Sequence, residues 1–294
     1  MSVATVRTWK QVEARVREQR DYAEGFRWLE LDVPADFRVP VAGQFVQLLL
    51  DSPSPVLLPR PMSVAGVTKR GSRLAIGLLY APVGAGTRVL AQLAPGAVVR
   101  VTGPLGQGYP LDEPGTPVLV AGGRGLAPLL MAAEALAKQK RSCEFVFGAR
   151  TKGLLIGLNV AKEALAKRGS RLHLATDDGS RGLRGNVIDV LDKLAPRLDA
   201  PLVIHACGPH GMLAAVARWA MANGARAHLA MESVMACGTG VCRGCPLPRS
   251  AEARDRVLAS GDAASALQGN PEWAMCCTDG PVFESRELDW DRVE

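Results

Sequence analysis

The spacing of cysteines near the C-terminus constrains this sequence more than any other feature. Cys237, Cys242 and Cys245 follow the pattern C-x4-C-x2-C, and the adjacent pair Cys276 and Cys277 follows. This is the plant-type spacing of a [2Fe–2S] cluster, which a distant fourth cysteine completes. Glycines between the cysteines allow sharp turns and can direct N–H groups at the sulfurs. The pattern therefore predicts an iron–sulfur protein that carries electrons. The intervening glycines are Gly238, Gly240 and Gly244.

Chemistry alone leaves two questions about these cysteines open. Cys242-x-x-Cys245 with two further thiolates would also suit a structural zinc ion, although the added x4 spacing from Cys237 favours the cluster. Either Cys276 or Cys277 can supply the fourth thiolate. Cys143 lies in a predicted strand, where a small buried hydrophobic side chain is the ordinary interpretation.

Composition places the chain among ordinary globular proteins. Its 294 residues suggest two or three domains, and 48% hydrophobic with 22% charged residues exclude a disordered or fibrous class. The net charge of +6 is scattered and aromatic residues make up 5%, which argues against a nucleic-acid protein. No signal peptide or membrane-spanning run is visible, so we expect a cytoplasmic protein. Seven cysteines in a reducing compartment indicate metal or redox chemistry rather than disulfides.

The first third of the chain consists of short apolar runs broken by Gly and Pro. Such spacing is typical of an antiparallel β-barrel. A short helix is predicted over Thr87–Leu93. The predicted strands are Phe26–Leu31, Gln44–Leu50, Leu74–Tyr80 and Val98–Thr102.

Strands and helices alternate from about Leu111 onward, which predicts a doubly wound parallel sheet of the Rossmann-like type. From Met231 onward, glycine, cysteine and proline dominate, and regular elements are hard to predict. The predicted strands of the sheet are Pro117–Ala121, Cys143–Ala149, Arg171–Ala175 and Leu202–Cys207, and the predicted helices are Pro128–Lys138, Val160–Lys167, Val187–Leu194 and His210–Met221.

Four short motifs are candidates for binding a nucleotide. The Gly122–Pro128 loop joins a strand to a helix, where a pyrophosphate can approach backbone N–H groups. Arg60–Ser63 lies between two predicted barrel strands and offers an arginine for a phosphate, although an ordinary loop is the simpler interpretation. Gly84–Thr87 opens a helix, or is a hairpin loop. Cys207–Pro209 ends a parallel strand, where ligands of such sheets bind, or is a buried cysteine before a turn.

The order of these motifs resembles the ferredoxin–NADP reductase superfamily of flavoproteins. The chain is most similar to electron-transfer subunits of class B, NAD-dependent dihydroorotate dehydrogenases, over nearly its whole length. The final motif is the most specific, because a cysteine followed by x-D-G-P-V-F closes the cluster domain of those subunits and selects Cys277 over Cys276. The motifs that carry the resemblance are Arg60–Ser63, Leu79-Tyr80, Gly86-Thr87, Gly103–Gly106, Gly122–Pro128, Thr176–Gly179, Cys207–Pro209, Met235–Gly238 and Cys277–Phe283.

The resemblance implies an FAD-binding barrel over residues 1–110, an NAD-binding α/β domain over 111–230 and a [2Fe–2S] domain over 231–294. The residues implied for FAD are Arg60, Pro61, Met62, Ser63, Leu79, Tyr80, Ala81, Gly86 and Thr87. Those implied for NAD are Gly122, Gly123, Gly125, Pro128, Cys207, Gly208 and Pro209. Those implied as cluster ligands are Cys237, Cys242, Cys245 and Cys277.

The resemblance also implies a function and a partner. Electrons from dihydroorotate would arrive from an FMN-containing dihydroorotate dehydrogenase catalytic subunit, with which the chain would form a heterotetramer, and would leave on NAD. The chain itself needs orientation and tuning of its cofactors rather than acid–base groups, so no catalytic residue is predicted. Two alternatives stay open: a reductase subunit that serves another redox partner, and a zinc-stapled nucleotide-binding module without enzymatic activity.

Three departures from the family pattern accompany the resemblance. Ala81 stands where a basic residue usually follows the tyrosine of the flavin strand. Arg124 replaces a small or aliphatic residue of the nucleotide loop, where it could grip a phosphate or hinder it. Cys245 and Cys277 are separated by 31 residues, about twice the usual number, and Arg249–Asn270 is predicted to be a helical insertion.

Overall fold

The structure is a computed structural model that describes residues 9–23, 25–50, 56–166, 169–260 and 271–293. Within this part of the chain, six antiparallel strands close into a barrel in the order β1-β2-β5-β4-β3-β6. A helix, α1, follows β5. The bounds are β1 (Lys10–Ala23), β2 (Phe26–Val33), β3 (Phe45–Leu49), β4 (Arg60–Arg70), β5 (Arg73–Tyr80), α1 (Ala85–Leu90) and β6 (Val98–Leu105).

The barrel wall follows from period-two alternation of apolar side chains. Leu29, Leu31 and Val33 of β2 are buried, and the residues between them are partly exposed. On the outside, the indole of Trp28 covers Gly77 of β5. A Cβ at Gly77 would lie 2.2 Å from that ring, so this position has no room for a side chain. The predicted antiparallel barrel is confirmed.

The sequence analysis did not predict two of the barrel strands, β1 and β4. The 14 residues of β1 carry many charged side chains, and its inward-facing positions include the small Ala14, so the apolar pattern is weak. Strand β4 begins at Arg60, because the Arg60–Ser63 motif pairs with β3 instead of forming an interstrand loop. The ordinary-loop interpretation of that motif is therefore wrong.

The second layer is a seven-stranded sheet in the order β10-β9-β8-β7-β11-β12-β15, in which β15 is Val282–Glu284. Its neighbouring strands are parallel, except that β15 pairs antiparallel with β12. The predicted doubly wound sheet is confirmed, and β12 is an additional strand. The bounds are β7 (Thr116–Gly122), α2 (Leu126–Lys138), β8 (Glu144–Ala149), α3 (Leu158–Ala166), β9 (Arg171–Thr176), β10 (Leu183–Arg184), α4 (Val187–Leu194), β11 (Leu202–Cys207), α5 (His210–Ala222) and β12 (Arg226–Ala230).

The winding direction reverses between β7 and β11, because strands β8, β9 and β10 lie on one side of β7 and strands β11 and β12 on the other. In open parallel sheets, ligands bind at the carboxyl ends of the strands next to such a reversal. The two glycine-containing motifs, Gly122–Pro128 and Cys207–Pro209, follow these two strands.

The C-terminal region packs on both layers. Strands β13 (Pro246–Pro248) and β14 (Trp273–Met275) form a small antiparallel pair, and β15 (Val282–Glu284) joins the large sheet. Helix α6 (Ala251–Ala259) agrees with the predicted helical insertion over its first half, and residues 261–270 lie outside the described part of the chain. The division at residues 110 and 230 stays a prediction.

Across the described residues, the structure contains no helix with the length and apolar character needed to cross a membrane.

Candidate functional site

Two of the predicted cluster cysteines are in direct contact through their sulfurs, and the other two lie in one loop. The Cys245 and Cys277 sulfurs are 3.2 Å apart and both side chains are buried. On the other side of the loop, the backbone N–H of Cys242 donates to the Cys237 sulfur at 3.3 Å, and that of Thr239 donates to the same sulfur at 3.4 Å. Cys242 itself is exposed. Residues far apart in the sequence thus bring thiols together at one place.

Hydrogen bonds favour the thiolate form of two of these cysteines. Partial burial raises the pKa of the Cys237 thiol, but the N–H bonds from Cys242 and Thr239 outweigh it and lower that pKa to about 6. The hydrogen bond from Cys277 lowers the pKa of Cys245 to about 7, against desolvation. The same bond, together with burial, raises the pKa of Cys277. Thiolates are the form that binds metal.

Cys276 differs from its neighbour in the partner of its sulfur. Both side chains are buried, but the Cys276 Sγ lies 3.6 Å from the carbonyl oxygen of Met231, whereas the Cys277 Sγ contacts that of Cys245. Burial raises the pKa of its thiol, and the charge of Cys245 adds to that effect. The structure therefore places Cys277, and not Cys276, against the other thiols.

The donor set fits a two-iron cluster better than a single zinc ion. Among the described residues, no three His, Cys, Asp or Glu side chains are close enough together to hold one metal ion. The Cys245 and Cys277 sulfurs are in contact, and a Cβ at Gly240 would lie 2.8 Å from Cγ2 of Thr278, so the loop that carries Cys237 and Cys242 lies beside this pair. Four thiolates shared by two irons match this arrangement. The buried Thr278 hydroxyl beside Cys277 has no hydrogen-bond partner within the described chain.

The two predicted nicotinamide motifs are packed directly against each other. A Cβ at Gly125 would lie 2.0 Å from the carbonyl oxygen of Cys207, and a Cβ at Gly122 would lie 2.9 Å from the Pro209 ring. Gly123 adopts a positive φ of 52°, which turns the chain into α2. Gly125 is required because two backbones approach closely there, Gly122 because side chains fill the space around it, and Gly123 because of its positive φ. The two motifs form one cleft at the carboxyl ends of β7 and β11.

Arg124 projects from this cleft toward the cysteine loop. Its Nη2 lies 4.0 Å from Oε2 of Glu232, which stands five residues before Cys237, and both side chains are more than half exposed. His210 at the start of α5 contacts the backbone oxygen of the same Glu232 through Nε2, at 2.8 Å. The departure at position 124 thus forms a link between the cleft and the cysteine region.

The predicted flavin motifs also converge, on the barrel surface at the start of α1. A Cβ at Gly86 would lie 3.0 Å from Cδ of Arg60, so the arginine stem lies across the first turn of the helix. The guanidinium donates to the carbonyl oxygens of Pro59 and Leu58. Thr87 bonds the backbone N–H and carbonyl of Gly84 through its hydroxyl, which fixes the turn. This corner offers backbone N–H groups and a cation to a phosphate.

Tyr80, another predicted flavin residue, has a partner inside the protein. Its hydroxyl donates to Oε1 of Gln19 at 2.7 Å, and the Gln19 amide donates to the carbonyl oxygens of Leu90, the last residue of α1, and of Leu93 beyond it. Burial raises the pKa of Tyr80 to about 12. Tyr80 therefore ties β5 to the helix of the phosphate corner, and Leu79 and Ala81 flank it along the chain.

Comparison with known proteins agrees with this geometry. Residues 119–218 match the family model of the oxidoreductase NAD-binding domain. The dihydroorotate dehydrogenase B (NAD(+)) electron transfer subunit of Desulforamulus reducens is 31% identical over 285 residues, which cover 96% of this chain and 99% of that protein. The corresponding subunit of Geobacillus thermodenitrificans is 34% identical over 278 residues, which cover 93% of this chain and 96% of that protein.

The chain belongs to the family of dihydroorotate dehydrogenase B (NAD(+)) electron transfer subunits. The resemblance drawn from the motif order is thereby confirmed, and the chain is an oxidoreductase component. This excludes the zinc-stapled module without enzymatic activity.

A solved structure of an NADH-dependent reduced ferredoxin–NADP oxidoreductase has the same fold. It superimposes with a TM-score of 0.76 at 27% identity, over 95% of this chain and 91% of that one. A ferredoxin NADP+ reductase from Neisseria gonorrhoeae with bound FAD and NADP gives a TM-score of 0.59 at 17% identity, over 73% of this chain and 92% of that one, and supports the fold alone.

Sequence reasoning missed several residues of the electron transfer subunit that the structure places at the site. Glu232 and Thr278 have no motif of their own, although each stands near a predicted ligand. Gln47 lies in the apolar run FVQLLL of β3, where a lone amide among aliphatic residues was a signal that could have been noticed. All three are recognised as residues of the site only from the residues that lie next to them in the structure.

Proposed function

We propose that this chain is the electron-transfer subunit that connects an FMN-containing dihydroorotate dehydrogenase catalytic subunit with NAD(+), in pyrimidine biosynthesis. Its cofactors are FAD and a [2Fe–2S] cluster, and its electron acceptor is NAD. Bound together, the cluster and the flavin convert single-electron transfer into hydride transfer. The observation that carries the proposal is the contact of the Cys245 and Cys277 sulfurs at 3.2 Å, beside the loop of Cys237 and Cys242, in a chain that also holds a nucleotide cleft.

Three separate sets of residues hold the flavin, the nicotinamide nucleotide and the cluster. The corner formed by Arg60, Gly86 and Thr87 holds the flavin phosphates, and the remaining residues of Arg60–Ser63 and Leu79–Ala81 flank the ring. The cleft of Gly122, Gly123, Gly125 and Pro128 with Cys207, Gly208 and Pro209 orients the nicotinamide nucleotide. Cys237, Cys242, Cys245 and Cys277 hold the cluster.

The catalytic subunit meets the chain at the exposed face of the cysteine loop. Cys242 is exposed, and the neighbouring Val241 has 83% of its surface in contact with solvent. An exposed aliphatic side chain beside a cluster ligand suits a partner that must come close for electron transfer. The partner and this chain form a heterotetramer.

Anaerobic co-purification with cofactor analysis tests this function. The chain is expressed with a tag, and the complex is examined by visible absorbance, iron content and flavin identification. We expect about two irons per FAD and a co-purifying subunit that contains FMN and oxidises dihydroorotate. Absence of iron after anaerobic preparation would overturn the cluster.

A second function has its own support. The 27% identity with an NADH-dependent reduced ferredoxin–NADP oxidoreductase extends over 95% of this chain. In addition, α6 adds a surface within the long segment between Cys245 and Cys277. A reductase subunit for a different redox protein would fit both observations. In the same co-purification, a stable partner without dihydroorotate-oxidising activity would favour this second function.

A further inference from the structure

A buried amide in the barrel wall has no partner within the described chain. The side chain of Gln47 is 2% exposed, and neither its Nε2 nor its Oε1 makes a hydrogen bond there. Gln44, three residues earlier, is equally buried, but its Oε1 accepts from the Val41 N–H and its Nε2 donates to the Gly106 carbonyl. A buried amide without partners is costly, so Gln47 requires a partner that the described residues do not supply.

The strand alternation directs Gln47 out of the barrel and toward the cysteines. Val46 and Leu48 belong to the apolar core of the barrel. Phe45 and Gln47 therefore face the other way, and Phe45 packs in the same apolar cluster as Cys245 and Cys277. The Gln47 amide thus lies on the face that the cysteine region covers.

The backbone of the cysteine loop packs against this amide so closely that no side chain fits between them. Gly238, directly after Cys237, has a φ of 72°, and a Cβ there would lie 2.7 Å from Cγ and 2.8 Å from Nε2 of Gln47. A side chain at position 238 would push the loop away from the barrel. The amide therefore stands against the loop segment whose N–H groups already point at the Cys237 sulfur.

Gln47 also adjoins the strand proposed to contact flavin. It is the register partner of Pro61, and Phe45 is the partner of Ser63, both in the Arg60–Ser63 motif. The amide consequently lies between the proposed flavin strand and the cysteine loop.

We propose that Gln47 is a tuning residue, whose side-chain amide donates a hydrogen bond to the sulfur atoms of the cluster on the Cys237 side. This inference rests on the proposed function, since it needs the cluster. Reduction adds negative charge to the cluster, and an N–H donor stabilises that charge. Hydrogen bonds to the sulfurs are among the factors that set the potential of such clusters. Gln47 therefore raises the midpoint potential of the cluster. Because it is buried, the catalytic subunit cannot serve as its partner.

The test is a redox titration of the holoprotein followed by EPR, with wild type, Q47L and the isosteric Q47E. Q47L should lower the ratio of reduced to oxidised cluster at a fixed potential by about tenfold, which is about 59 mV for a one-electron couple. Q47E replaces the donor by an acceptor and should lower the ratio at least as much. The flavin couple is titrated in the same samples by absorbance and should move less.

Q44L is the matched control, because the Gln44 amide is already bonded within the protein. It should lower the unfolding midpoint in urea and leave the cluster potential unchanged. An unchanged potential in both Q47L and Q47E would overturn the inference and would mean that a water molecule or packing alone accounts for Gln47. A shift of equal size in Q44L would also overturn it. A wild-type protein without any [2Fe–2S] EPR signal would instead contradict the proposed function, so the two failures are distinguishable.

Discussion

The nucleotide cleft and the cysteine loop differ in whether contacts within the protein are sufficient for their polar groups. In the cleft, glycines allow backbones to touch, and the close contacts are complete within the polypeptide, as between Gly125 and Cys207. At the cysteine loop, the Cys245 and Cys277 thiols are in contact, and the Thr278 hydroxyl and the Gln47 amide are buried without partners in the described chain. A region whose polar groups are all bonded within the protein folds without its ligand. A region with unbonded buried polar groups gains more stability when its ligand binds. The cleft is therefore preformed, and the cysteine loop is completed by its cofactor.

The largest expected effect separates two adjacent cysteines. C277S should abolish the [2Fe–2S] signal, because it removes the thiol that lies 3.2 Å from Cys245. C276S, the matched control, should retain the signal, because that sulfur faces the Met231 carbonyl. EPR and iron content of anaerobically purified proteins measure both. The reverse pattern would refute the assignment of Cys277.

A substitution in the cleft should instead change the free energy of unfolding. G125A forces a Cβ to within 2.0 Å of a backbone oxygen, and overpacking of this kind costs about 1–3 kcal/mol. Urea unfolding measures the loss, and a titration with NADH should show weaker binding. G211A in α5 is the control, since a Cβ there meets nothing within 4 Å and alanine suits a helix interior. Equal stability of the two variants would contradict a cleft held by close backbone contact.

The sheet beneath the cleft should lose stability in acid. His205 of β11 lies between Tyr109 and His228, and burial, with the charges of His228 and Arg141, lowers its pKa to about 3. The folded protein keeps this ring neutral, whereas the unfolded chain protonates it below about pH 6.5. Stability is therefore lost as pH falls below that value, by about 2 kcal/mol between pH 7 and pH 5.

Urea unfolding at the two pH values measures this effect. H205L should reduce the difference between pH 7 and pH 5 by about 2 kcal/mol. An unchanged difference would show that other groups cause the loss in acid.

The smallest effect concerns the link between the two regions. E232Q removes the charge that Arg124 faces at 4.0 Å, and exposed ion pairs contribute under about 1 kcal/mol. We expect little change in urea unfolding and a change in NADH affinity below about threefold. A much larger change in affinity would mean that the cleft and the cysteine loop are coupled through this pair.

The extent of sequence prediction differs along the chain for physical reasons. Glycine and apolar patterns located β7, β11 and their loops, because a buried parallel strand must be apolar and a close backbone approach must use glycine. Strand β1 escaped because most of its residues face solvent and carry charge. The Arg60–Ser63 motif was assigned to a loop, although pairing with β3 makes it a strand. Pairing between distant segments leaves no local signal.

The amino-acid sequence by itself determined the cysteine spacing, the order of the glycine motifs and, through them, the family. These features are local, because a thiol ligand or a glycine is specified by its own identity. Only the tertiary structure decided that Gly125 touches Cys207, that the Cys276 sulfur contacts the Met231 carbonyl, and that Gln47 lies against Gly238 without a partner in the described chain. Those relations depend on register and burial, which arise when strands far apart in the chain pack together.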